Sequence, residues 1–235
     1  MKSLLIKIND WKYSLKSSIG LTPGLYYRLF ARSFPFDQMA VSNQTEICIE
    51  GFPRSANSYA VVAFKLDNQD VKVGHHLHVP AQIIRAAEMN IPNVVVLRSP
   101  EEAVASFLVF QSSLNASLYL KSYIQFHKIV EALADKVLIT SFETATKDFN
   151  KVIEAVNQKY SRNYNLVGDI ENRQDEIITK LKKVNNQFFA GQTQKNMFPD
   201  EQRKKLKERV MDSVKSSPQL IQANEIYNRL KAQSI

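Results

Sequence analysis

The stretch from Ile47 to Tyr59 decides the fold, and it reads Ile-Cys-Ile-Glu-Gly-Phe-Pro-Arg-Ser-Ala-Asn-Ser-Tyr. A short run rich in β-branched residues ends at Gly51, a turn of small and polar residues follows, and an apolar helical pattern begins at Tyr59. A strand, a tight turn and a helix in this order bring backbone N–H groups and the positive end of the helix dipole to one point, where an anion can bind. The stretch therefore predicts a phosphate-binding turn at the end of a strand.

Two further apolar runs predict the type of sheet. Residues 94–97 and 136–140 are nearly continuous in apolar residues, which is typical of strands buried on both faces, as in a parallel sheet. Strands alternate with helical patterns, so we expect an α/β fold with three layers, a central parallel sheet between helices. The strands are expected at 46–51, 71–74, 93–98 and 136–140. The helices are expected at 57–66, 80–90, 99–112, 116–134, 145–160, 172–184, 200–214 and 219–232, with a polar loop at 185–198.

The first 44 residues differ from the rest in composition. They are basic and aromatic and show no clear period, apart from a short helix expected at 25–31. We expect a single domain in which residues 1–44 form an arm packed on the core of residues 45–235. A basic, aromatic segment is also typical of contact with a membrane interface, so peripheral membrane contact through this arm remains open.

Composition limits the class of protein. The 235 residues carry a net charge of +8, which favours an anionic partner, but no nucleic-acid-binding motif accompanies the charge, so we expect no nucleic acid. No apolar run approaches the roughly 18 residues that span a bilayer, and the start is too weakly apolar for a signal peptide, so a cytoplasmic location is expected. The single cysteine, Cys48, lies in the first strand and is expected to be a buried thiol.

The turn does not match that of a nucleoside triphosphatase. Asn57 stands where that pattern requires a lysine, and the strand at 94–97 ends in Arg98 and Ser99, not in a magnesium-binding aspartate. Arg98 should lie at the carboxyl end of its strand, where open α/β sheets bind ligands, and Ser106 follows eight residues later on the next helix. Two anion sites at one sheet edge suit a ligand with two separated phosphates.

These residues resemble a known family. Pro53 to Tyr59 is similar to the Pro-Lys/Arg-Ser-Gly-Thr/Asn-Ser/Thr-Trp/Tyr loop of the sulfotransferases that use 3′-phosphoadenosine 5′-phosphosulfate (PAPS). Residues 94–106 resemble that family's 3′-phosphate segment, with the same spacing from Arg to Ser, and residues 137–143 resemble its later strand. The likeness covers about residues 46–155. It implies the P-loop sulfotransferase fold and the transfer of a sulfuryl group from PAPS to a hydroxyl or amine of a glycan or small molecule, without a metal.

The resemblance also implies a role for individual residues. Arg54 would neutralise charge on the leaving phosphate oxygen, which makes it catalytic as well as cofactor-binding. The 5′-phosphosulfate would be held by Ser55, Ala56, Asn57 and Ser58, and adenine would stack on Tyr59. The 3′-phosphate would be bound by Arg98 and Ser106, and Phe142 stands where the family has a tyrosine near adenine.

The general base is expected in the histidine-rich segment 75–78. His76 aligns best with the family's catalytic histidine, and a neutral imidazole suits proton abstraction. His75, His78 or a carboxylate, Asp70 or Glu102, remain alternatives, and a metal cluster of the histidines is a weaker one.

Two departures from the family pattern weaken the expected PAPS site. Ala56 replaces a glycine, which requires a negative or a mildly strained φ. The basic loop that binds the 3′-phosphate near the end of the family's sequences cannot be recognised here, and Lys195 is the only candidate for its ligand. An ATP-dependent P-loop phosphotransferase and a non-catalytic nucleotide-binding module are the rival interpretations.

Overall fold

The structure, a computed structural model, describes residues 2–32, 36–189 and 201–235. The strands of these ranges are β1 (Ile47–Gly51), β2 (Val73–His75), β3 (Asn93–Leu97) and β4 (Leu138–Ser141). The first six helices are α1 (Lys2–Ile19), α2 (Pro23–Leu29), α3 (Phe36–Met39), α4 (Asn57–Lys65), α5 (Pro80–Glu88) and α6 (Pro100–Gln111). The remaining helices of these ranges are α7 (Ala116–Ala132), α8 (Phe142–Lys147), α9 (Phe149–Tyr160), α10 (Gln174–Phe189), α11 (Glu201–Lys215) and α12 (Gln219–Lys231).

The four strands form one parallel sheet in the order β2-β1-β3-β4. In register, Cys48 lies opposite Asn93, and Val94 lies opposite Leu138. The predicted α/β class with a central parallel sheet is thereby confirmed. The order places the carboxyl ends of β1 and β3 side by side, and these are the ends that precede the turn at 52–56 and Arg98.

Both faces of the sheet are covered by helices. On one face, Val95, Leu97 and Ile139 pack in a core with side chains of α6, α7, α11 and α12. On the other face, Val94, Val96 and Leu138 pack with α4, α9 and α10. Successive residues of a strand point to opposite faces, so burial of both sets explains why these strands read as continuous apolar runs.

Helix α1 was not predicted, because its large side chains lie on two opposite faces and leave no single apolar stripe. Tyr13 faces inward, where its ring stacks on Tyr119 with centroids 4.7 Å apart. Trp11 faces outward and is 63% exposed. The expected burial of the arm's aromatic rings therefore holds for Tyr13 and for Tyr26 and Tyr27 of α2, but not for Trp11.

Two other expectations need correction. The helix expected over 145–160 is divided at Asp148, whose φ of −146° and ψ of 66° separate α8 from α9. Ser141 begins the shorter helix by accepting a hydrogen bond from the N–H of Thr144. The polar loop expected from residue 185 is helical through Phe189, and its remainder, including Lys195, lies outside the described residues.

The described residues contain no helix that is both long enough and apolar enough to cross a bilayer.

Candidate functional site

The turn between β1 and α4 has a strained backbone. Arg54 and Ala56 both have positive φ angles, 70° and 65°. For a residue with a Cβ atom this left-handed conformation costs about 1–2 kcal/mol. Of the two conformations expected for Ala56, a negative φ or a mildly strained one, the structure has the strained one. Backbone strain of this kind persists where the surrounding structure enforces it, which is common at ligand-binding sites.

The side chain of Asn57 hydrogen-bonds to the backbone at the end of β1 and the start of the turn. Its Nδ2 donates to the carbonyl oxygens of Gly51 and Phe52, at 3.2 and 3.3 Å. Any Cβ at Gly51 would lie 2.7 Å from Asn57 Oδ1 and 2.6 Å from the carbonyl oxygen of Val96, so only glycine fits there. The residue that replaces the lysine of the triphosphatase pattern is thus a structural tie between strand and turn.

Two buried polar atoms of the turn have no hydrogen-bond partner within the described structure, Ser55 Oγ and Asn57 Oδ1. Buried polar atoms are nearly always satisfied, so an exception needs a reason, and a bound ligand or water is a common one. The turn therefore retains hydrogen-bonding capacity that the protein itself does not use.

Three arginines cluster beside the turn, and two of them contact Ser106. Arg54 Nε donates to Ser106 Oγ at 3.2 Å, and Nη2 of Arg203 lies 3.4 Å from the same oxygen. Arg98 Nη1 donates to the carbonyl oxygen of Arg54 at 2.7 Å. Burial, together with the positive charges of Arg203 and Arg98, lowers the pKa of Arg54 to about 9. Since like charges here raise each other's energy, an anion among them would be stabilised strongly.

Arg98 is held from several sides. Its Nη2 pairs with Glu102 at 3.0 Å, its guanidinium lies 4.3 Å from the centroid of the Phe142 ring, and Tyr123 Oη donates to its carbonyl oxygen. Glu102 also pairs with Lys207. The contacts fix Arg98 at the carboxyl end of β3, as expected from the sequence, and they place Glu102 in an ion-pair network, not in the position of a general base.

Arg203 is the residue of the arginine cluster that sequence reasoning missed. It lies in the first turn of α11 and is only 7% exposed. The many charged residues of α11 predict a helix that is exposed to solvent, so its sequence gives little reason to expect a buried arginine. The available signal is its spacing, because Arg203 lies seven and eleven residues before Val210 and Val214, on the buried face of the same helix.

Glu50 organises the histidine segment from inside β1. Its fully buried carboxylate accepts hydrogen bonds from the N–H of Leu77 at 2.7 Å, the N–H of His78 at 3.3 Å and Nε2 of Gln82 at 3.2 Å. Burial alone would raise the pKa of Glu50, but the hydrogen bonds from the ring of His78 and from the amides of Leu77 and His78 outweigh it and lower the pKa. His76 and His78 both adopt positive φ, consistent with a loop shaped around this carboxylate.

Both ring nitrogens of His76 have partners. Its Nε2 lies 2.8 Å from Ser58 Oγ, and its Nδ1 lies 2.6 Å from Nδ1 of His75. Burial, followed by the charges of His75 and His78, lowers the pKa of His76 well below its usual value, and burial lowers that of His75 to about 4. His76 is therefore neutral at neutral pH, as a base must be, but a substrate proton can reach Nε2 only if Ser58 yields its place.

His78 is the better-oriented imidazole. Its Nδ1 lies 3.0 Å from the carbonyl oxygen of Gly51 and 3.4 Å from Oε2 of Glu50, with Nδ2 of Asn57 at 3.2 Å. Two acceptors favour a proton on Nδ1, since Asn57 Nδ2 already donates to two carbonyls. This tautomer leaves Nε2 as a proton acceptor.

One large cleft, about 1630 Å³ in volume, joins these groups. Nine of the ten predicted site residues line it, namely Arg54, Ala56, Asn57, Ser58, Tyr59, His76, Arg98, Ser106 and Phe142. The tenth, Ser55, is fully buried in the turn. His75, His78 and Arg203 also line the cleft, whereas Asp70 lies in a separate cavity of about 340 Å³ and is too remote to be its base.

The two aromatic residues expected near adenine occupy different surroundings. Tyr59 lies in the first turn of α4, and its hydroxyl donates to Oε1 of Gln174 on α10 at 2.8 Å, which fixes the ring. Phe142 lies against the guanidinium of Arg98. Both rings line the cleft and lie beside groups expected to bind phosphate, since Tyr59 follows Ser58 in the chain and Phe142 contacts Arg98.

The residues that the structure describes contain no group of three or more His, Cys, Asp or Glu side chains arranged to hold a metal ion. Comparisons with protein-family models, with curated proteins and with solved structures found no match to this chain.

Proposed function

We propose that this chain is a PAPS-dependent sulfotransferase of the P-loop type, acting on a hydroxyl or amine of a glycan or small molecule. The observation that supports the proposal most strongly is the arginine cluster beside the strained turn, in which Arg54 and Arg203 contact Ser106 Oγ and Arg98 donates to the carbonyl oxygen of Arg54. One phosphate group would fill the turn, with Arg54 beside it, and a second would meet Arg98, Arg203 and Ser106. PAPS differs from ATP in having a 3′-phosphate, and this ligand class therefore fits two adjacent anion sites at one sheet edge.

The chain offers a distinct set of contacts to each part of such a donor. The turn from Ser55 to Ser58 would hold the 5′-phosphosulfate through backbone N–H groups and hydroxyls. Arg98, Arg203 and Ser106 would hold the 3′-phosphate, and the ring of Tyr59 would stack on adenine. The unpartnered Ser55 Oγ supports this assignment, because it is a buried hydrogen-bonding atom of the turn that the described protein leaves unsatisfied.

When bound, the donor supplies a sulfuryl group, which passes in line to the acceptor oxygen or nitrogen and leaves adenosine 3′,5′-bisphosphate. The chain's contribution to this step is electrostatic. Arg54, with a pKa of about 9, is still protonated at neutral pH and would place its positive charge beside the leaving phosphate oxygen. No charge has to move into place during the reaction, since the turn and the three arginines are already assembled.

A neutral histidine of the segment 75–78 would take the acceptor's proton. The family resemblance favours His76 as the general base, whereas the hydrogen bonds favour His78. Nδ1 of His78 is held by Gly51 and Glu50, so Nε2 is left to accept a proton. His76 would have to release Ser58 first. We therefore place His78 beside His76 as a candidate base, with Glu50 as its positioning residue.

Ligand binding tests the donor assignment. We expect calorimetry to show binding of adenosine 3′,5′-bisphosphate that ATP does not displace. Arg203→Gln should weaken it about 10- to 100-fold, the usual effect of losing a charged hydrogen bond. Arg209→Gln, an exposed arginine on the same helix, is the matched control and should leave affinity unchanged. Failure of the wild-type chain to bind the bisphosphate, or equal competition by ATP, would overturn the donor assignment and favour the phosphotransferase.

Transfer of labelled sulfate from PAPS to a panel of phenols, amines and sugars tests for catalysis. Substitution of the true base should lower kcat by about 10²- to 10⁴-fold while bisphosphate affinity is retained. His76→Asn and His78→Asn, measured side by side, decide between the two histidines. Bisphosphate binding without transfer to any acceptor of the panel would favour the non-catalytic module.

A further inference from the structure

The outward face of α1 is an apolar stripe. It consists of Leu4, Ile8, Trp11 and Leu15, which are 64%, 38%, 63% and 43% exposed. The spacing of four, three and four residues places them in one row along the helix. A row of four large apolar side chains in solvent is unusual on a protein surface. Where such a patch occurs, it commonly marks an interaction site.

The inward face of α1 combines the aromatic ring of Tyr13, which packs on the core, with polar groups that hydrogen-bond to it. Asp10 accepts hydrogen bonds from Ser113 Oγ and Tyr119 Oη, at 3.0 and 2.9 Å. The hydroxyl of Tyr13 lies 2.8 Å from Ser122 Oγ. These bonds fix the rotation of the helix, so the stripe is presented to solvent by specific contacts and not by an unanchored helix.

The charges of α1 complement the stripe. Lys7 and Lys12 are both exposed and lie on opposite sides of it, each roughly 70° from its centre around the helix. Asp10, the sole acidic residue of α1, is turned inward. The stripe is therefore bordered only by positive charge, and the long side chains of lysine can extend toward an anionic surface while the apolar row is buried.

We propose that α1 docks on the surface of an anionic lipid bilayer, with the stripe inserted at the level of the head groups and Lys7 and Lys12 on lipid phosphates. An apolar row that includes a tryptophan, bordered by lysines, is what interfacial helices use. A second copy of this chain fits less well, because a symmetric pairing of the stripes would bring the lysine borders of both helices together. The proposal is independent of the proposed function.

The docked surface would lie next to the cleft. Lys12, together with Asn9 and Tyr13 of the same helix, lines one wall of it. A bilayer held by the outer face of α1 is therefore within one helix diameter of the site, about 10–12 Å.

Vesicle binding of the full chain tests the proposal without any ligand of the cleft. Trp11 is the chain's only tryptophan, so its fluorescence reports on the stripe directly. With vesicles of phosphatidylcholine and phosphatidylglycerol at low salt we expect co-flotation and a blue shift of the Trp11 emission. Added salt or vesicles of phosphatidylcholine alone should weaken both.

Variants distinguish vesicle binding through the stripe from nonspecific binding through other exposed apolar side chains. Ile8→Ser with Leu15→Ser keeps Trp11 and should weaken vesicle binding roughly tenfold per side chain. Lys7→Gln and Lys12→Gln should each weaken it about fivefold. The matched control is Leu114→Ser with Ile221→Ser, which removes two exposed apolar side chains outside α1 and should change nothing. All these side chains are exposed, so thermal unfolding should be unaltered.

Three results would overturn the proposal. One is no binding to anionic vesicles at low salt. Another is binding that the stripe and lysine variants leave unchanged. The third is a blue-shifted Trp11 emission in a lipid-free dimer that the same stripe variants dissociate, because this result would assign the stripe to a second copy.

Discussion

Ala56 holds the turn after β1 in a left-handed conformation, with φ 65° and ψ 21°. We expect Ala56→Gly to be neutral or to raise the free energy of unfolding by up to about 1 kcal/mol. Glycine removes the steric cost of this conformation, about 1–2 kcal/mol, but adds about 0.5–1 kcal/mol of entropy in the unfolded chain. Urea unfolding at neutral pH measures the change.

The control for this prediction lies one helical turn further on. Ala60 is fully buried within α4, where glycine gains nothing and loses a buried methyl group, so Ala60→Gly should lower the free energy of unfolding by about 1–2 kcal/mol. Equal losses in the two variants would contradict the assignment of strain to Ala56.

Single residues show where sequence reasoning succeeds and where it stops. Arg54, Arg98 and Ser106 could be assigned to one sheet edge from the sequence, because each follows a recognisable strand end by a short interval, but the contact of Arg54 with Ser106 was not predicted. Arg203 could not, since its place at Ser106 depends on how α11 packs on α6. The role of Glu50 could not be predicted either. A carboxylate within a strand does not indicate which backbone amides it binds, and these amides lie in the loop after β2.

Helix α11 is the element that closes the arginine cluster. It contacts α6 through Arg203, near Ser106, and through Lys207, paired with Glu102, while Val210 and Val214 anchor it in the core. Only its first half thus faces the proposed phosphate site.

Bisphosphate binding should therefore slow amide hydrogen exchange in the first two turns of α11. With ligand at about 100 times its Kd, exchange that requires opening of the site can slow by up to about 100-fold. Exchange mass spectrometry should also find slowing at the start of α4, and none in α9, which contributes no residue to the lining of the cleft. Protection of α4 without any effect on α11 would argue against a contact from Arg203.

The elements differ in how well their sequences reveal them. β3 and α6 were legible because an apolar run is followed by Ser99 and Pro100, a strong helix start. Helix α1 was not, because large residues on both faces hide its period. The division of α8 from α9 was also missed, since it depends on the backbone of Asp148 and the cap by Ser141.

At the scale of the whole molecule, Glu50 couples stability to pH. Its pKa is lowered by folding, so its contribution is complete above the ordinary pKa, 4.5, and is lost as the pH falls below that value toward the folded pKa. Glu50→Gln should lower the free energy of unfolding by about 2–4 kcal/mol at neutral pH, because an amide cannot accept all the donors of Leu77, His78 and Gln82.

The difference between wild type and Glu50→Gln should shrink as the pH falls below 4.5, and urea titrations across this range measure it. Glu88→Gln, an exposed residue at the end of α5, is the control and should have little effect at any pH. A difference that stays constant with pH would mean that the variant acts through packing, not through the charge of Glu50.

The global class of the fold could be predicted because buried parallel strands have a distinct composition, as in Val94 to Leu97. The strand order could not, because pairing of β1 with β3 depends on contacts between segments some 45 residues apart, 48 with 93 in register. Local patterns describe elements, whereas the sheet order and the two-sided core arise only when all elements pack together.

Ile235 has a further consequence for the sheet. Its N–H donates to the carbonyl oxygen of Ile139 at 3.1 Å, and its own carbonyl accepts from the N–H of Ser141 at 3.0 Å. β4 is an outer strand, and an open strand edge invites pairing with another chain and hence aggregation. Here a single residue of the same chain occupies that edge. Any change that displaces Ile235 would leave this edge of β4 open, so residue 235 bears on whether the protein stays monodisperse at high concentration.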